Sequence, residues 1–123
     1  MWEIYPEGIY DLLLRLHNDY LHPNLFISEN GIPVPDTLTP MGKIHDQERI
    51  SYLEAHIRQV RRAMDAGVPV SGFFVWSLLD NFEWAAGYSQ RFGLVYVDYA
   101  TKKRLPKDSA YFYQQVIKAN AVE

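Results

Sequence analysis

Two short apolar runs, each leading straight into polar residues and separated by one long amphipathic segment, constrain this chain more than any other feature. The first is Leu25-Phe-Ile-Ser-Glu-Asn-Gly31 and the second is Gly72-Phe-Phe-Val-Trp-Ser77. Apolar runs this short, bounded by turn residues, predict buried strands over residues 25–28 and 72–77. Their nearly continuous apolar character suits a sheet covered on both faces. Between them, Ile50, Leu53, Ile57, Val60 and Met64 recur at alternating spacings of three and four, the stripe of an amphipathic helix. Asp46 is its expected N-cap, Glu48 sits near the positive end of its dipole, and Gly67 is its expected stop. Arg58, Arg61 and Arg62 lie off the stripe and read as a solvated face. Strand, helix and strand in this order imply an α/β fold with two parallel strands joined by a right-handed crossover.

The remaining elements follow from the same signals. Pro6 suits a first helical turn, and Ile9, Leu13, Leu16 and Tyr20 give a helical stripe that should end near Tyr20, ahead of Pro23. His17 and His22 read as a surface residue and a turn residue. Residues 29–45 form a long connection, with a small turn expected over 36–39, and residues 78–90 form another. Phe92-Gly-Leu-Val-Tyr-Val-Asp98 and Arg104-Leu-Pro106 read as a hairpin around Thr101-Lys-Lys103. Asp108 or Ser109 should cap a last helix with Phe112, Tyr113 and Val116 facing inward, and Val122 and Glu123 should fray. No linker or strong repeat divides the chain, so residues 1–123 read as a single partial domain. Two main strands cannot be covered on both faces and still have sheet neighbours, which suggests a piece of a larger sheet.

Composition narrows the function classes. A hydrophobic content of 48% in 123 residues excludes a disordered chain and allows one modest core. A net charge of −3 argues against nucleic acid or an anionic membrane surface as the main partner. With no cysteine, disulfide scaffolds, thiolate catalysis and cysteine-zinc sites are excluded, and a reducing, cytoplasmic setting is the expectation. The amino terminus lacks the pattern of a signal peptide, and no apolar run reaches the about 20 residues that span a bilayer.

Glu29 carries the functional argument. A charge at the end of a buried strand is costly unless a cleft opens there, and in α/β proteins the cleft lies at the carboxyl ends of the strands. The competing reading is a helix cap or a rim ion pair. The second run also leads into polar and aromatic residues, Val75-Trp-Ser-Leu-Leu-Asp-Asn-Phe-Glu-Trp84. Tryptophans clustered beside carboxylates suit the apolar faces of sugars. Asp80 and Asn81 read as turn formers.

Ile27-Ser-Glu-Asn-Gly31, Trp76-Ser-Leu-Leu-Asp-Asn-Phe-Glu-Trp84 and Arg91-Phe-Gly-Leu-Val-Tyr-Val-Asp98, in that order, resemble the carboxyl-terminal part of a family 1 glycoside hydrolase, the β-glucosidase family. Trp2-Glu-Ile-Tyr-Pro-Glu-Gly8 and Lys102-Lys-Arg-Leu-Pro-Lys-Asp-Ser109 extend the resemblance over essentially the whole chain. It implies a (β/α)8 barrel, a fold of about 250 residues or more. This chain would supply its last two β/α units with a carboxyl-terminal hairpin and helix, and Met1 would replace an internal residue. The resemblance makes Glu29 the catalytic nucleophile. It makes Trp76 an aromatic platform for sugar, Glu83 a ligand of sugar hydroxyls, Trp84 a neighbouring indole contact and Phe92 a wall near the primary hydroxyl. Asn30 is expected to hold the loop. No metal or cofactor is implied, because the reaction needs only carboxylates and water.

The departures are as informative. The family's acid/base glutamate belongs to an Asn-Glu-Pro motif, and this sequence has none. The first expectation is therefore the nucleophile-bearing part of a retaining β-glycosidase acting on β-glucosides, complete only with an amino-terminal barrel fragment. The alternative is a non-catalytic, self-associating fragment with a half-built sugar site. A lectin-like module has less support, since nothing marks a complete sugar-binding domain.

Overall fold

The computed structural model describes residues 3–122. The resemblance at Trp2 and the fraying of Glu123 fall outside them. Helix α1 (Glu7–Asp19) starts after Pro6 and closes at Tyr20, whose N–H bonds the Leu16 carbonyl at 3.2 Å. Strand β1 (Leu25–Asn30), helix α2 (Gln47–Asp65) and strand β2 (Val70–Val75) form the expected crossover, with the strands parallel and Leu25, Ile27 and Asn30 opposite Val70, Phe73 and Val75. Among the described residues, β1 and β2 make one two-stranded sheet.

Strand bounds differ from the sequence expectation in a way that matters for the site. β1 runs on through Glu29 and Asn30, because Asn30 still pairs with Val75. β2 begins at Val70 and ends before Trp76. The helices cover one face of the pair: Leu13, Val60, Ala63 and Val68 form the core, with Ile9, Leu25, Ile27, Val70 and Phe73 packed on it. Burying each large aliphatic side chain there contributes about 1.5–3 kcal/mol over leaving it exposed. The other face is open, with Phe26 61% and Phe74 58% exposed, so the expected cover on both faces is not supplied by these residues.

The α2 stripe is turned by one position from the one expected. Its buried residues are Arg49, Leu53, His56, Val60 and Ala63, while Met64 lies at the surface. Asp46 occupies the N-cap position but makes no side-chain cap bond, because its carboxylate is buried in other contacts described below. Gly67 follows the helix with φ of +96°, as a stop should. Arg58 and Arg61 are exposed and pair with Glu54 and Asp65, and Arg62 stacks on the Tyr10 ring at 3.9 Å.

Strands β3 (Val95–Val97) and β4 (Arg104–Pro106) form the antiparallel hairpin. Helix α3 (Asp108–Ala119) follows, with Lys107 rather than Asp108 or Ser109 at the N-cap position. Tyr113 faces inward and donates its hydroxyl to the Phe73 carbonyl at 2.9 Å. In the long connection after β1, the tight turn spans 39–43 rather than 36–39: Thr39 N–H bonds the Lys43 carbonyl at 2.8 Å, and Asp36 is instead buried. No helix among the described residues is long and apolar enough to cross a membrane.

Candidate active site

Glu29 is the penultimate residue of β1, and Trp76 follows β2 directly. Because the strands are parallel and Asn30 pairs with Val75, both residues stand at the same carboxyl end. The Trp76 N–H extends the ladder, bonding the Asn30 carbonyl at 2.9 Å. Gly31 makes this approach possible: a Cβ there would fall 1.8 Å from the Trp76 carbonyl oxygen.

The loop after β2 brings its carboxylate back to Trp76. The indole Nε1–H donates to Glu83 Oε1 at 3.3 Å. Glu83 itself is fixed by its backbone, whose N–H bonds the Gly87 carbonyl at 2.7 Å across the single 3-10 turn Trp84–Ala86. Trp84 opens that turn at φ +42° and is 84% exposed. Phe92 packs below, 6% exposed, and its carbonyl accepts from Ser77 N–H at 3.2 Å. The structure thus joins Trp76 to Glu83, sets Glu29 on the neighbouring strand end, leaves Trp84 standing in solvent and buries Phe92 beneath. Glu29 is exposed and lies at one end of an open, mostly apolar groove between α1 and β1, lined by residues such as Ile9, Leu13, Leu25 and Ile27 and by none of Trp76, Glu83, Trp84 or Phe92.

Asn30 ties this strand end to α2 by donating to the Tyr52 hydroxyl at 3.4 Å, in keeping with a loop-holding part. The Tyr52 ring stacks on His56 at 3.9 Å, and His56 Nδ1 bonds the Tyr52 carbonyl at 2.8 Å. Burial raises the Tyr52 pKa against the Asn30 hydrogen bond. Burial lowers that of His56, opposed by the Tyr52 carbonyl and the charge of Glu7.

Beneath the two loops lies a line of charges that pattern reading missed. Asp80 is not a turn former: it is 4% exposed and accepts from Gly93 N–H at 2.9 Å, Lys107 Nζ at 2.8 Å, Arg91 and Val97 N–H. Lys107 also bonds Asp36, which receives both terminal nitrogens of Arg49 at 3.2 Å. Arg49 reaches Asp46, and Asp46 binds both the N–H and the hydroxyl of Ser109, which is what its carboxylate does instead of capping. One signal was available: Asp46, Arg49 and His56 fall at core spacing with Leu53, Val60 and Ala63. Among the described residues, no three His, Asp or Glu side chains gather as metal ligands would.

The profile described as glycosyl hydrolase family 1 matches residues 1–122. The chain is 56% identical to β-glucosidase A of Thermotoga maritima over 99% of its own length and 27% of that protein's. It is 58% identical to a 1,4-β-D-glucan glucohydrolase of Thermotoga neapolitana, covering 98% of this chain and 27% of that one. A 6-phospho-β-galactosidase of Streptococcus equi is 46% identical over 94% of this chain and 24% of the relative. A solved structure of the T. maritima family 1 β-glucosidase with isofagomine lactam superposes with a TM-score of 0.97, over 99% of this chain and 28% of that one. The chain thus spans about a quarter of the length of the relatives it matches.

Proposed function

The chain belongs to glycosyl hydrolase family 1, and on that premise we propose that it is the nucleophile-bearing part of a retaining β-glucosidase. The observation that carries the reading is Glu29 beside Trp76 at the ends of paired strands, with Glu83 held on the Trp76 indole. Glu29 attacks the anomeric carbon as the glycosidic C–O bond breaks and the aglycone departs with a proton from the general acid, leaving a covalent glycosyl-enzyme that water then hydrolyses with retention. Trp76 offers its ring to the CH face of the sugar. The indole bond to Glu83 leaves a carboxylate that accepts from sugar hydroxyls. Trp84 adds a contact through its N–H, and Phe92 backs the pocket near the primary hydroxyl. Two carboxylates in one site favour an uncharged glucoside over a phosphorylated sugar, since a phosphate dianion would be repelled. The loop's own cation, Arg91, is bound to Asp80.

The leaving group needs a general acid about 5–5.5 Å from the nucleophile. Its contribution is typically 10²–10⁴-fold, and the sequence lacks the Asn-Glu-Pro segment that would carry it. That group comes from the remaining barrel, which also covers Phe26, Phe74 and the outer edges of β1 and β2. The test combines this chain with the remaining part of the T. maritima enzyme and follows hydrolysis of a chromogenic β-glucoside. The pair is expected to turn over, and the chain alone and the Glu29→Gln pair to be silent. An active Glu29→Gln pair contradicts the role of Glu29, and an active isolated chain contradicts the need for the rest. A silent pair with an oligomeric chain supports the non-catalytic, self-associating reading.

A further inference from the structure

Asp46, Arg49, Asp36, Lys107, Asp80 and Arg91 make one connected line in which the sign of charge alternates and the total is zero. The line passes under both loops of the candidate site. We propose that Lys107 is a positioning residue for that site: its ammonium joins the loop that follows Glu29 to the loop that carries Glu83 and Trp84.

Lys107 is fully buried, with its backbone N–H on the Leu94 carbonyl at 2.9 Å and its residue at the N-cap position of α3. Its Nζ reaches Asp36 in the first loop and Asp80, at 2.8 Å, in the second. Each carboxylate has its own anchor, Arg49 for Asp36 and Gly93 N–H with Arg91 for Asp80, so Lys107 couples two supported loops rather than propping one. Arg49 adds a parallel link by donating to the Arg91 carbonyl at 2.7 Å. Burial pushes the Lys107 pKa down, as does Arg49, while Asp36 and Asp80 pull it back. Buried ion pairs of this kind are weak sources of stability compared with apolar packing of equal volume. Their directional bonds fix geometry, and the geometry at stake is the Trp76–Glu83 contact just beyond Asp80.

This rests on the proposed sugar site, but its test reads loop geometry and not hydrolysis. The whole chain is labelled with 5-fluorotryptophan, and the fluorine signals of Trp76 and Trp84 are assigned with Trp→Phe variants. Lys107→Met is expected to shift both signals in the folded protein. A residue that only adds stability would leave the folded signals where they are. Lys107→Arg keeps the charge but not the compact ammonium, so it should fold and shift the signals less. Unchanged signals in a folded Met variant overturn the proposal. If the Met variant does not fold, the Arg variant decides alike: shifted signals support positioning, and unshifted ones overturn it.

Discussion

Under β1 and β2 the contacts are apolar, made by Leu13, Val60, Ala63 and Val68. In the two loops at the carboxyl ends of the same strands, buried Ile32, Val34, Ile44, Phe92 and Leu94 are joined by an ionic line that runs from Asp46 to Arg91. Apolar packing is non-directional and scales with area, so it sets where helices lie against strands without fixing any one side chain. Charge-assisted hydrogen bonds are short and directional. They cost desolvation, yet they set loop geometry, and apart from Glu29 in β1 the candidate site is carried by loops. α2 joins the two regimes, since Arg49 sits on the same buried stripe as Leu53 and Val60.

The largest effect should come from the ionic side. Arg49→Met leaves buried Asp36 with Lys107 as its cation and buried Asp46 with only the N–H and hydroxyl of Ser109. It should lower the unfolding free energy by about 3–5 kcal/mol in urea titration, and should disturb the loop tryptophans as well. Leu13→Ala, at a buried position of the core under the strands, should cost about 2–5 kcal/mol while leaving the Trp76 and Trp84 signals in place. If Leu13→Ala moves those signals as much as Arg49→Met does, the division of labour breaks.

A smaller effect concerns pH. Burial holds the folded pKa of His56 below its ordinary value of 6.5. The unfolded chain then binds the proton first, so stability falls as pH drops below about 6.5, down to the lower folded value, and is full above it. His56→Gln should flatten that part of a stability–pH profile, and an unchanged profile would contradict the assignment. The smallest effect belongs to surface pairs. Arg61 and Asp65 are 2.7 Å apart but exposed, so Arg61→Ala should change stability by only about 0.3–0.5 kcal/mol, vanishing in high salt. A loss as large as that of Arg49→Met would show that burial is not what separates the two kinds of pair.

Element order, the parallel crossover and the hairpin were legible because each rests on local periodicity and turn residues. The α2 face was displaced by one position because a stripe drawn from apolar residues alone passes over Arg49 and His56. Asp80 looked like a turn residue because its partners Gly93, Val97 and Lys107 are distant in sequence, as Asp36 is from Lys107. Glu29 stood out by its place at a strand end. The parts of Trp76, Glu83, Trp84 and Phe92 rested on family resemblance. The Trp76–Glu83 bond depends on how a loop folds back, which no local pattern encodes.

One experiment puts the nucleophile itself on trial. The chain, joined with the remaining part of the T. maritima enzyme, is exposed to an activated 2-deoxy-2-fluoroglucoside, which slows breakdown of a glycosyl-enzyme. The chain is then digested and its peptides weighed. Glu29 as nucleophile predicts one added fluoroglucosyl mass on the peptide containing Glu29, and none in the Glu29→Gln variant. An adduct on Glu83, on another residue or on the partner segment would contradict it.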